Sequence, residues 1–378
     1  MITLRDVVLS SRDLLRAASD TVCLERARLV TEAYRQHEHE PTVICRAKAF
    51  RYVLQQMTLE QKVGQLFCIG FDGTAMGPEI EGLIRTVRPG GVILFGRNVA
   101  DAGQVRALDA QLQALSREVS GQPLFIATDQ EGGKIRRINW TDDNVSQANV
   151  TSPQQAYDIG LQRGRALKDL GINLNLAPVL DAGVEGDFLT KNERCFTGGA
   201  DRIGTLAGSM ISGQKAGGIF STAKHFPGYG GITFDPENDH IAVVNQLPQY
   251  SQFKQVAKAQ PEFVMAVASA IYTPLDANLA FTLSPAGINL LRKTISGDYL
   301  LITDDLGTKT LKETYTLKVA VTQAFKAGVD VLLVCHSPDP LEAFHHMVDA
   351  VRSGEISETE VNQRVGKILQ MKQRLPAL

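Results

Sequence analysis

Long apolar runs are missing from this chain of 378 residues. No stretch reaches the roughly 20 consecutive apolar residues that a transmembrane helix requires. The first residues, MITLRDVVLSSRDLLR, carry charges every few positions and contain no apolar core of a signal peptide. A strong net charge is also missing, since the formal charge is −2, which argues against a nucleic-acid-binding or membrane-attracting surface. We therefore expect a soluble, cytoplasmic protein that binds neither nucleic acid nor membrane.

Cysteine is scarce and scattered. The five residues are odd in number and lack the spacing of a metal site: Cys23, Cys45, Cys68, Cys195 and Cys335. This pattern indicates reduced thiols and predicts neither a disulfide framework nor a bound metal. Hydrophobic residues make up 44% of the chain and charged residues 21%, which is ordinary for a globular protein that buries a large core.

Short apolar runs alternate with amphipathic stretches from about residue 65 onward. Eight runs are apolar or β-branched on consecutive positions, which is typical of parallel strands covered on both faces. They lie at 65–71, 90–96, 124–130, 172–181, 219–226, 263–271, 300–306 and 329–335. Helical patterns lie between them, for example at 105–119 and 342–354. This alternation predicts an α/β fold, either a closed TIM-type (β/α)8 barrel or an open doubly wound sheet.

The positions of polar side chains favour the barrel. Several fall at the C-terminal end of a predicted strand, namely Asp129, Asp181, Lys224, His225, Asp304 and His336. A barrel gathers these ends into one bowl, which is where the active site of such a fold forms. We therefore predict a (β/α)8 barrel with its site at that end.

Residues 1–56 do not follow this alternation, because they are charged, helical in pattern and divided by Glu40-Pro41. The stretch CLERARLVTEAYRQHEHEPTVICRAKAF (23–50) resembles the N-terminal helices of glycyl-radical enzymes of the pyruvate formate-lyase type. It contains neither a radical glycine loop nor a catalytic cysteine region. We predict two domains: an N-terminal helical extension over 1–56 that is dispensable for chemistry, and a barrel over 57–378.

Six separated blocks resemble the barrel domain of glycoside hydrolase family 3. They are MTLEQKVGQLF (57–67), GGVILFGRN (90–98), ATDQEGGKIRR (127–137), ERCF (193–196), KHFPGYGG (224–231) and ITDDLG (302–307). The resemblance is closest to the single-domain bacterial β-N-acetylglucosaminidases that trim cell-wall fragments. It implies a retaining exo-β-N-acetylglucosaminidase (β-hexosaminidase) that acts on small glycosides or peptidoglycan fragments. It implies no metal or organic cofactor and leaves the oligomeric state open.

The resemblance also implies a set of substrate-binding side chains. Asp129 and Arg137 belong to one block, and Arg194 precedes the Lys224-His225 pair by the family's spacing of thirty residues. A carboxylate can accept hydrogen bonds from two sugar hydroxyls, while arginine and lysine donate to sugar oxygens. The paired glycines of ATDQEGG are expected to let the backbone approach the ligand.

Asp304, the first acidic residue of ITDDLG, falls on the family's nucleophile position. A retaining glycosidase needs a carboxylate on one face of the anomeric carbon to form a glycosyl ester. Asp305 points elsewhere by strand alternation and is expected to be supporting structure.

The catalytic acid/base is where this chain departs from the family. Single-domain relatives use a loop Asp-x-His dyad after KHFPGHG, whereas this chain has Tyr229, expected to be structural, and then the loop GITFDPENDHIAVVN. Without gaps, Asp235 matches the dyad aspartate and Glu237 takes the place of the histidine. A three-residue insertion puts His240 there instead. Either side chain can exchange protons near neutral pH if its surroundings tune it; we favour His240, and a loop without a competent acid/base is the third possibility.

Two other functions stay open. Ser269 stands where relatives carry a histidine near a strand end, which removes one donor to the sugar. The chain could be a β-glucosidase or glycoside phosphorylase of the same family, and phosphate-dependent turnover would reveal the phosphorylase. It could also be a sugar-binding module, which would retain affinity without turnover.

Overall fold

The structure, a computed structural model, describes residues 53–260 and 262–375. The resemblance to glycyl-radical enzymes at 23–50 lies outside these residues, as does the predicted extension except for 53–56, which are helical. The predicted barrel lies almost entirely inside them.

Twelve strands occur in this part of the chain: β1 (Phe67–Ile69), β2 (Gly91–Leu94), β3 (Phe125–Thr128), β4 (Gln130–Gly132), β5 (Ile135–Arg136), β6 (Leu174–Asn175), β7 (Phe220–Phe226), β8 (Val243–Val244), β9 (Glu262–Val267), β10 (Ile271–Tyr272), β11 (Asp298–Thr303) and β12 (Leu332–Val334). Eight of them form one parallel sheet in the order β11-β9-β7-β6-β3-β2-β1-β12. Its first and last strands meet through a parallel bridge between Ile302 and Val331. The sheet closes on itself, so the predicted (β/α)8 barrel is confirmed.

The helices of the described residues alternate with these strands: α1 (Leu59–Gln65), α2 (Pro78–Val87), α3 (Ala102–Ser120), α4 (Pro153–Asp169), α5 (Phe188–Lys191), α6 (Ala200–Gly217), α7 (Ser251–Ala259), α8 (Pro285–Thr294), α9 (Lys309–Thr314), α10 (Leu317–Ala327), α11 (Asp339–Arg352) and α12 (Glu358–Lys372). Side chains of Asp101, Ser152 and Ser284 cap the first turns of α3, α4 and α8 by accepting backbone N–H groups. Polar residues just before an amphipathic run therefore mark where these helices begin.

Each of the eight predicted runs overlaps one barrel strand, although β9 begins at Glu262 and β11 at Asp298, before their runs. The strands are buried on consecutive positions, as in β2 and β3, because the helices cover the outer face and side chains fill the interior. The run at 172–181 gives only the two-residue β6, since Pro178 has no N–H for the ladder. Val179 resumes pairing beyond it through a bridge to Lys224.

Two small sheets shape the loops above the barrel. β4 and β5 form an antiparallel pair directly after β3. β8 pairs with β10, so that Val243 lies opposite Ile271 and Val244 opposite Tyr272. The second pair joins the long loop after β7 to the loop after β9. Both pairs lie beyond the C-terminal ends of barrel strands, where the site is expected.

Asp109 is a buried carboxylate on α3, and neither oxygen has a hydrogen-bond partner among residues 53–260 and 262–375. Burial raises its pKa well above the ordinary value. A raised native pKa means that the fold disfavours the charged form of Asp109. The native protein therefore loses stability as pH rises above the unfolded pKa of this carboxyl, and loses none below it. We expect Asp109→Asn to raise the free energy of unfolding by about 1–2 kcal/mol at pH 7, because the neutral amide avoids the cost of the buried charge.

Urea unfolding of both proteins at pH 7 and near pH 3.5 measures this difference. The gain should fade at the lower pH, where the native and unfolded forms both hold the proton. Equal stability of the two proteins at pH 7 would contradict the prediction that the buried charge is costly.

Candidate active site

A pocket of about 270 Å³ opens at the C-terminal ends of the barrel strands. Its size is near the lower end of the range for small-molecule sites. Eight of the nine predicted site residues line it: Asp129, Arg137, Arg194, Lys224, His225, Asp235, Glu237 and Asp304. His240 does not. The strand-end positions therefore meet as expected, and the loop that follows β7 contributes Asp235 and Glu237.

Five charged side chains form a continuous network on one wall. Lys224 Nζ lies 2.9 Å from Asp129 Oδ1 and 2.7 Å from Glu131 Oε1. Arg194 donates two hydrogen bonds to Glu131, at 2.9 and 2.8 Å. Arg137 lies 3.4 Å from Asp129 Oδ2. The alternating charges fix one another in place, so the wall presents rigid donors and acceptors to a polar ligand.

The charges in this network are stable near neutral pH. Burial opposes ionisation of Asp129, but Lys224 and Arg137 outweigh it and lower its pKa. Burial likewise opposes ionisation of Glu131, and Arg194 with Lys224 lowers the pKa of that carboxyl far more. Burial opposes the charge on Lys224, but the two carboxylates raise its pKa. The wall therefore carries three cations and two anions.

Glu131 is a site residue that the sequence analysis missed. It is almost fully buried and is the shared partner of Lys224 and Arg194. Its position was a usable signal, because residues i and i+2 of an extended segment face the same side and Glu131 follows Asp129 by two. Gly132 and Gly133 correct another expectation. A Cβ on them would lie 2.5 Å from Val145 O and 2.5 Å from Ser146 Cβ, so these glycines pack the protein against itself and not against a ligand.

Asp304 lies at the end of β11 on the pocket floor. The Tyr229 hydroxyl donates to its Oδ2 at 2.7 Å, and the backbone N–H of Asp305 donates to Oδ1 at 3.2 Å. The same hydroxyl accepts the backbone N–H of Ser269 at 3.3 Å. Burial and the Asp304 charge raise the pKa of Tyr229, so the phenol stays a donor. Tyr229 thus does more than fill space: it holds the carboxylate in one orientation.

His225 is fixed from behind by Asp181. One carboxylate oxygen of Asp181 lies 3.0 Å from His225 Nδ1 and also accepts the backbone N–H of His225 at 2.9 Å. The other accepts the Tyr229 N–H at 2.7 Å. A carboxylate beside Nδ1 favours the proton on that nitrogen, which leaves Nε2 for other contacts.

Asp305 supports the backbone as expected, but it also lines the pocket and so does not point away from it as strand alternation suggested. Its Oδ1 accepts the backbone N–H groups of Gly307 at 2.8 Å and Cys335 at 3.1 Å. Its Oδ2 lies 3.6 Å from His336 Nε2 at the pocket rim. These bonds attach the end of β11 to the end of β12.

The loop after β7 places its two acid/base candidates differently. Glu237 is exposed at the mouth of the pocket and lines it. His240 lies outside the pocket lining, with its ring stacked on Phe234 at 3.8 Å between centroids.

No group of three His, Cys, Asp or Glu side chains suited to a metal occurs in the parts of the chain described. No helix there has the length and apolarity to cross a membrane.

Residues 58–371 match the family model described as the Glycosyl hydrolase family 3 N terminal domain. The chain belongs to glycosyl hydrolase family 3. The match covers nearly all of the predicted barrel domain and begins just after the predicted extension.

Individual relatives agree with this assignment. The chain is 30% identical over 298 residues to a β-hexosaminidase of Alkalilimnicola ehrlichii, covering 74% of this chain and 84% of that one. It is 27% identical over 336 residues to β-hexosaminidase A of Pseudoalteromonas piscicida, but spans only 56% of that protein's length. A solved family 3 β-N-acetylglucosaminidase of a Paenibacillus species superposes with a TM-score of 0.80 at 31% identity, over 85% of this chain and 64% of the other. A β-N-acetylhexosaminidase of Beutenbergia cavernae gives 0.78 at 25% identity, over 84% and 99%.

Proposed function

We propose that this chain is a retaining exo-β-N-acetylglucosaminidase that releases terminal β-linked N-acetylglucosamine from small glycosides, including peptidoglycan fragments. The observation that carries the proposal is Asp304 held by Tyr229 on the pocket floor beside the charged wall. The names of the relatives in Alkalilimnicola and Paenibacillus support the same substrate class.

Asp304 acts as the nucleophile. Its carboxylate attacks the anomeric carbon while the bond from that carbon to the leaving oxygen breaks and an acid delivers a proton to that oxygen. The product is a glycosyl ester on Asp304. Water then attacks the same carbon, the ester bond breaks and Asp304 is released as a carboxylate. In the first step Tyr229 orients the Asp304 carboxylate, and in the second its hydroxyl stabilises the carboxylate that leaves.

The charged wall recognises the sugar. Asp129 and Glu131 are ionised acceptors, and Lys224, Arg137 and Arg194 are donors whose positions are already fixed. Each sugar hydroxyl can both donate a hydrogen bond and accept hydrogen bonds on its oxygen, which fits an alternating array. Because the array is formed before the ligand arrives, little side-chain freedom is lost on binding.

The charges near Asp304 favour water over phosphate as the second acceptor. Asp304 and Asp305 lie together on the floor, with Glu237 at the mouth, and the cations of the wall are already paired with Asp129 and Glu131. When the second acceptor arrives, Asp304 is a neutral ester, and the acid/base has just given up its proton and is a carboxylate. A phosphate dianion would therefore approach against the like charge of that carboxylate and of Asp305. Hydrolysis is therefore the outcome that we propose, and not phosphorolysis.

A panel of p-nitrophenyl β-glycosides, assayed with and without phosphate, tests the proposal. We expect the N-acetylglucosaminide to give the highest kcat/KM and phosphate to leave turnover unchanged. A preference for the glucoside, or turnover that requires phosphate, would contradict it. Binding of N-acetylglucosamine without turnover of any glycoside would instead support a sugar-binding module.

A further inference from the structure

The segment from Asp235 to Asp239 is a closed turn. Asp235 Oδ1 accepts the backbone N–H of Glu237 at 2.9 Å, and Asp235 Oδ2 accepts the Asn238 side-chain amide at 2.9 Å. The two ends of the segment also bind each other. The backbone N–H of Asp239 donates to the carbonyl of Asp235 at 3.0 Å, and the backbone N–H of Asp235 donates to Asp239 Oδ2 at 2.9 Å. Both carboxylate oxygens of Asp235 are used within the turn, which gives this residue a structural task.

The turn is attached to the chain segment that follows the nucleophile. Thr310 is buried and lies six residues after Asp304. Its hydroxyl donates to the carbonyl of Pro236 at 2.8 Å, and its backbone N–H donates to the carbonyl of Glu237 at 3.3 Å. The backbone of Glu237 is thereby held at a fixed place relative to the end of β11.

Charged side chains of the pocket interact with the carboxyl group of Glu237. The charged groups that act on it are Asp304, Asp129 and Asp305, which disfavour its ionisation, and Arg194, which favours it. Glu237 is exposed as a residue but lines the pocket, and the neighbouring walls reduce the hydration of its carboxyl group. This loss of water, and next the Asp304 charge, raise the pKa of Glu237 to about 8. A carboxyl group that keeps its proton near neutral pH is suited to act as a general acid.

We propose that Glu237 is the general acid/base of this chain, positioned by Asp235 and Thr310, and that His240 is not required for proton transfer. This inference rests on the proposed glycosidase function. In the first step the Glu237 proton passes to the glycosidic oxygen as its bond to the anomeric carbon breaks and the Asp304 ester forms. In the second, the Glu237 carboxylate takes a proton from water as the water oxygen attacks that carbon and the ester breaks. His240, which aligns with the family's histidine after a three-residue insertion, stacks on Phe234 and lies outside the pocket lining.

The test compares Glu237→Gln with His240→Ala on a dinitrophenyl β-N-acetylglucosaminide and on a β-linked N-acetylglucosamine disaccharide. On the disaccharide, Glu237→Gln should lower kcat/KM about 10²–10⁴-fold, and His240→Ala should lower it less than about threefold, since we assign it no proton transfer. On the dinitrophenyl substrate kcat/KM for Glu237→Gln should change little, because that leaving group needs little protonation. The reverse ranking would assign the role to His240 and overturn the proposal.

Azide and pH give readouts that a structural defect would not move. Azide should accelerate Glu237→Ala on the dinitrophenyl substrate, since it attacks the glycosyl–Asp304 ester without a base, forms a glycosyl azide and releases the carboxylate. The wild-type kcat/KM on the disaccharide should fall above about pH 8, as Glu237 loses its proton, and Glu237→Gln should not show this fall.

The contact from Thr310 gives a further test. Thr310→Val should lower turnover of the disaccharide more than that of the dinitrophenyl glycoside, whereas Thr310→Ser, which keeps the hydroxyl, should be close to wild type.

Failure of this inference differs from failure of the proposed function. If wild-type protein turns over neither substrate, the glycosidase function is wrong. If it turns over both, and Glu237→Gln is as active as wild type on the disaccharide with an unchanged pH profile, only the assignment of Glu237 is wrong. Thermal unfolding of each variant confirms that its fold is intact.

Discussion

Asp304→Asn should lower kcat about 10⁴-fold or more on every β-glycoside that the wild type cleaves. An amide is neutral and a poor nucleophile, so neither the ester nor the ionic stabilisation of the anomeric carbon can form. The fold should persist, because the asparagine oxygen can still accept the Tyr229 hydroxyl and the residue is only half-buried. Steady-state kinetics together with thermal unfolding measure the two effects separately.

The adjacent Asp305→Asn is the matched control. Asp305 uses one oxygen for the N–H groups of Gly307 and Cys335, and an asparagine oxygen can accept both. Its loss of turnover should be far smaller. Mass spectrometry of protein quenched during turnover should find the sugar on the peptide that contains Asp304. A variant Asp304→Asn with near wild-type kcat, or sugar on another carboxylate, would remove the nucleophile assignment.

Lys224→Met should destabilise the protein by about 3–5 kcal/mol, since removing one member of a buried ionic group leaves the others uncompensated. Lys224 is buried and lies within 2.9 Å of both Asp129 and Glu131. The native pKa values of these carboxyls are lowered, so their contribution to stability is present above their unfolded pKa and is lost as pH falls through the native value. The variant should therefore unfold in acid at a higher pH than the wild type.

Lys215→Met is the control for this variant. Lys215 pairs with Glu262 at 3.4 Å on the surface, where an ion pair contributes about 0–1 kcal/mol. Urea unfolding at pH 7 and acid titration of both variants give the comparison. Equal stability of the two would show that Asp129 and Glu131 are compensated without Lys224. The kcat/KM of Lys224→Met should also fall, because the sugar loses a fixed donor.

The barrel was predictable because its causes are local. Strands buried on both faces must be apolar at consecutive positions, and the runs that contain β2, β3 and β12 are apolar over four or more residues. The meeting of Asp129, Lys224 and Asp304 was predictable as well, since a closed parallel sheet brings the ends of its strands together.

Side-chain contacts made by loops were not predictable in the same way. The Tyr229 hydroxyl reaches Asp304 from a residue 75 positions away, and the direction of that side chain depends on the turn after β7. The place of Glu237 depends on Thr310, 74 positions after Pro236. Alignment with the family's Asp-x-His dyad favoured His240 because it compares residue types, whereas the structure puts Glu237 at the pocket and His240 beside Phe234.

The loop after β7 is fastened at three places. The Phe188 N–H donates to the Ile232 carbonyl at 2.7 Å, Thr310 holds the turn at Pro236, and β8 pairs with β10. With these attachments, we expect the loop to keep its position when a ligand binds and not to close over it. Compounds that inhibit such an enzyme gain most from a stiff ring already shaped like the flattened sugar, because the protein has little rearrangement to supply and the ligand little freedom to lose.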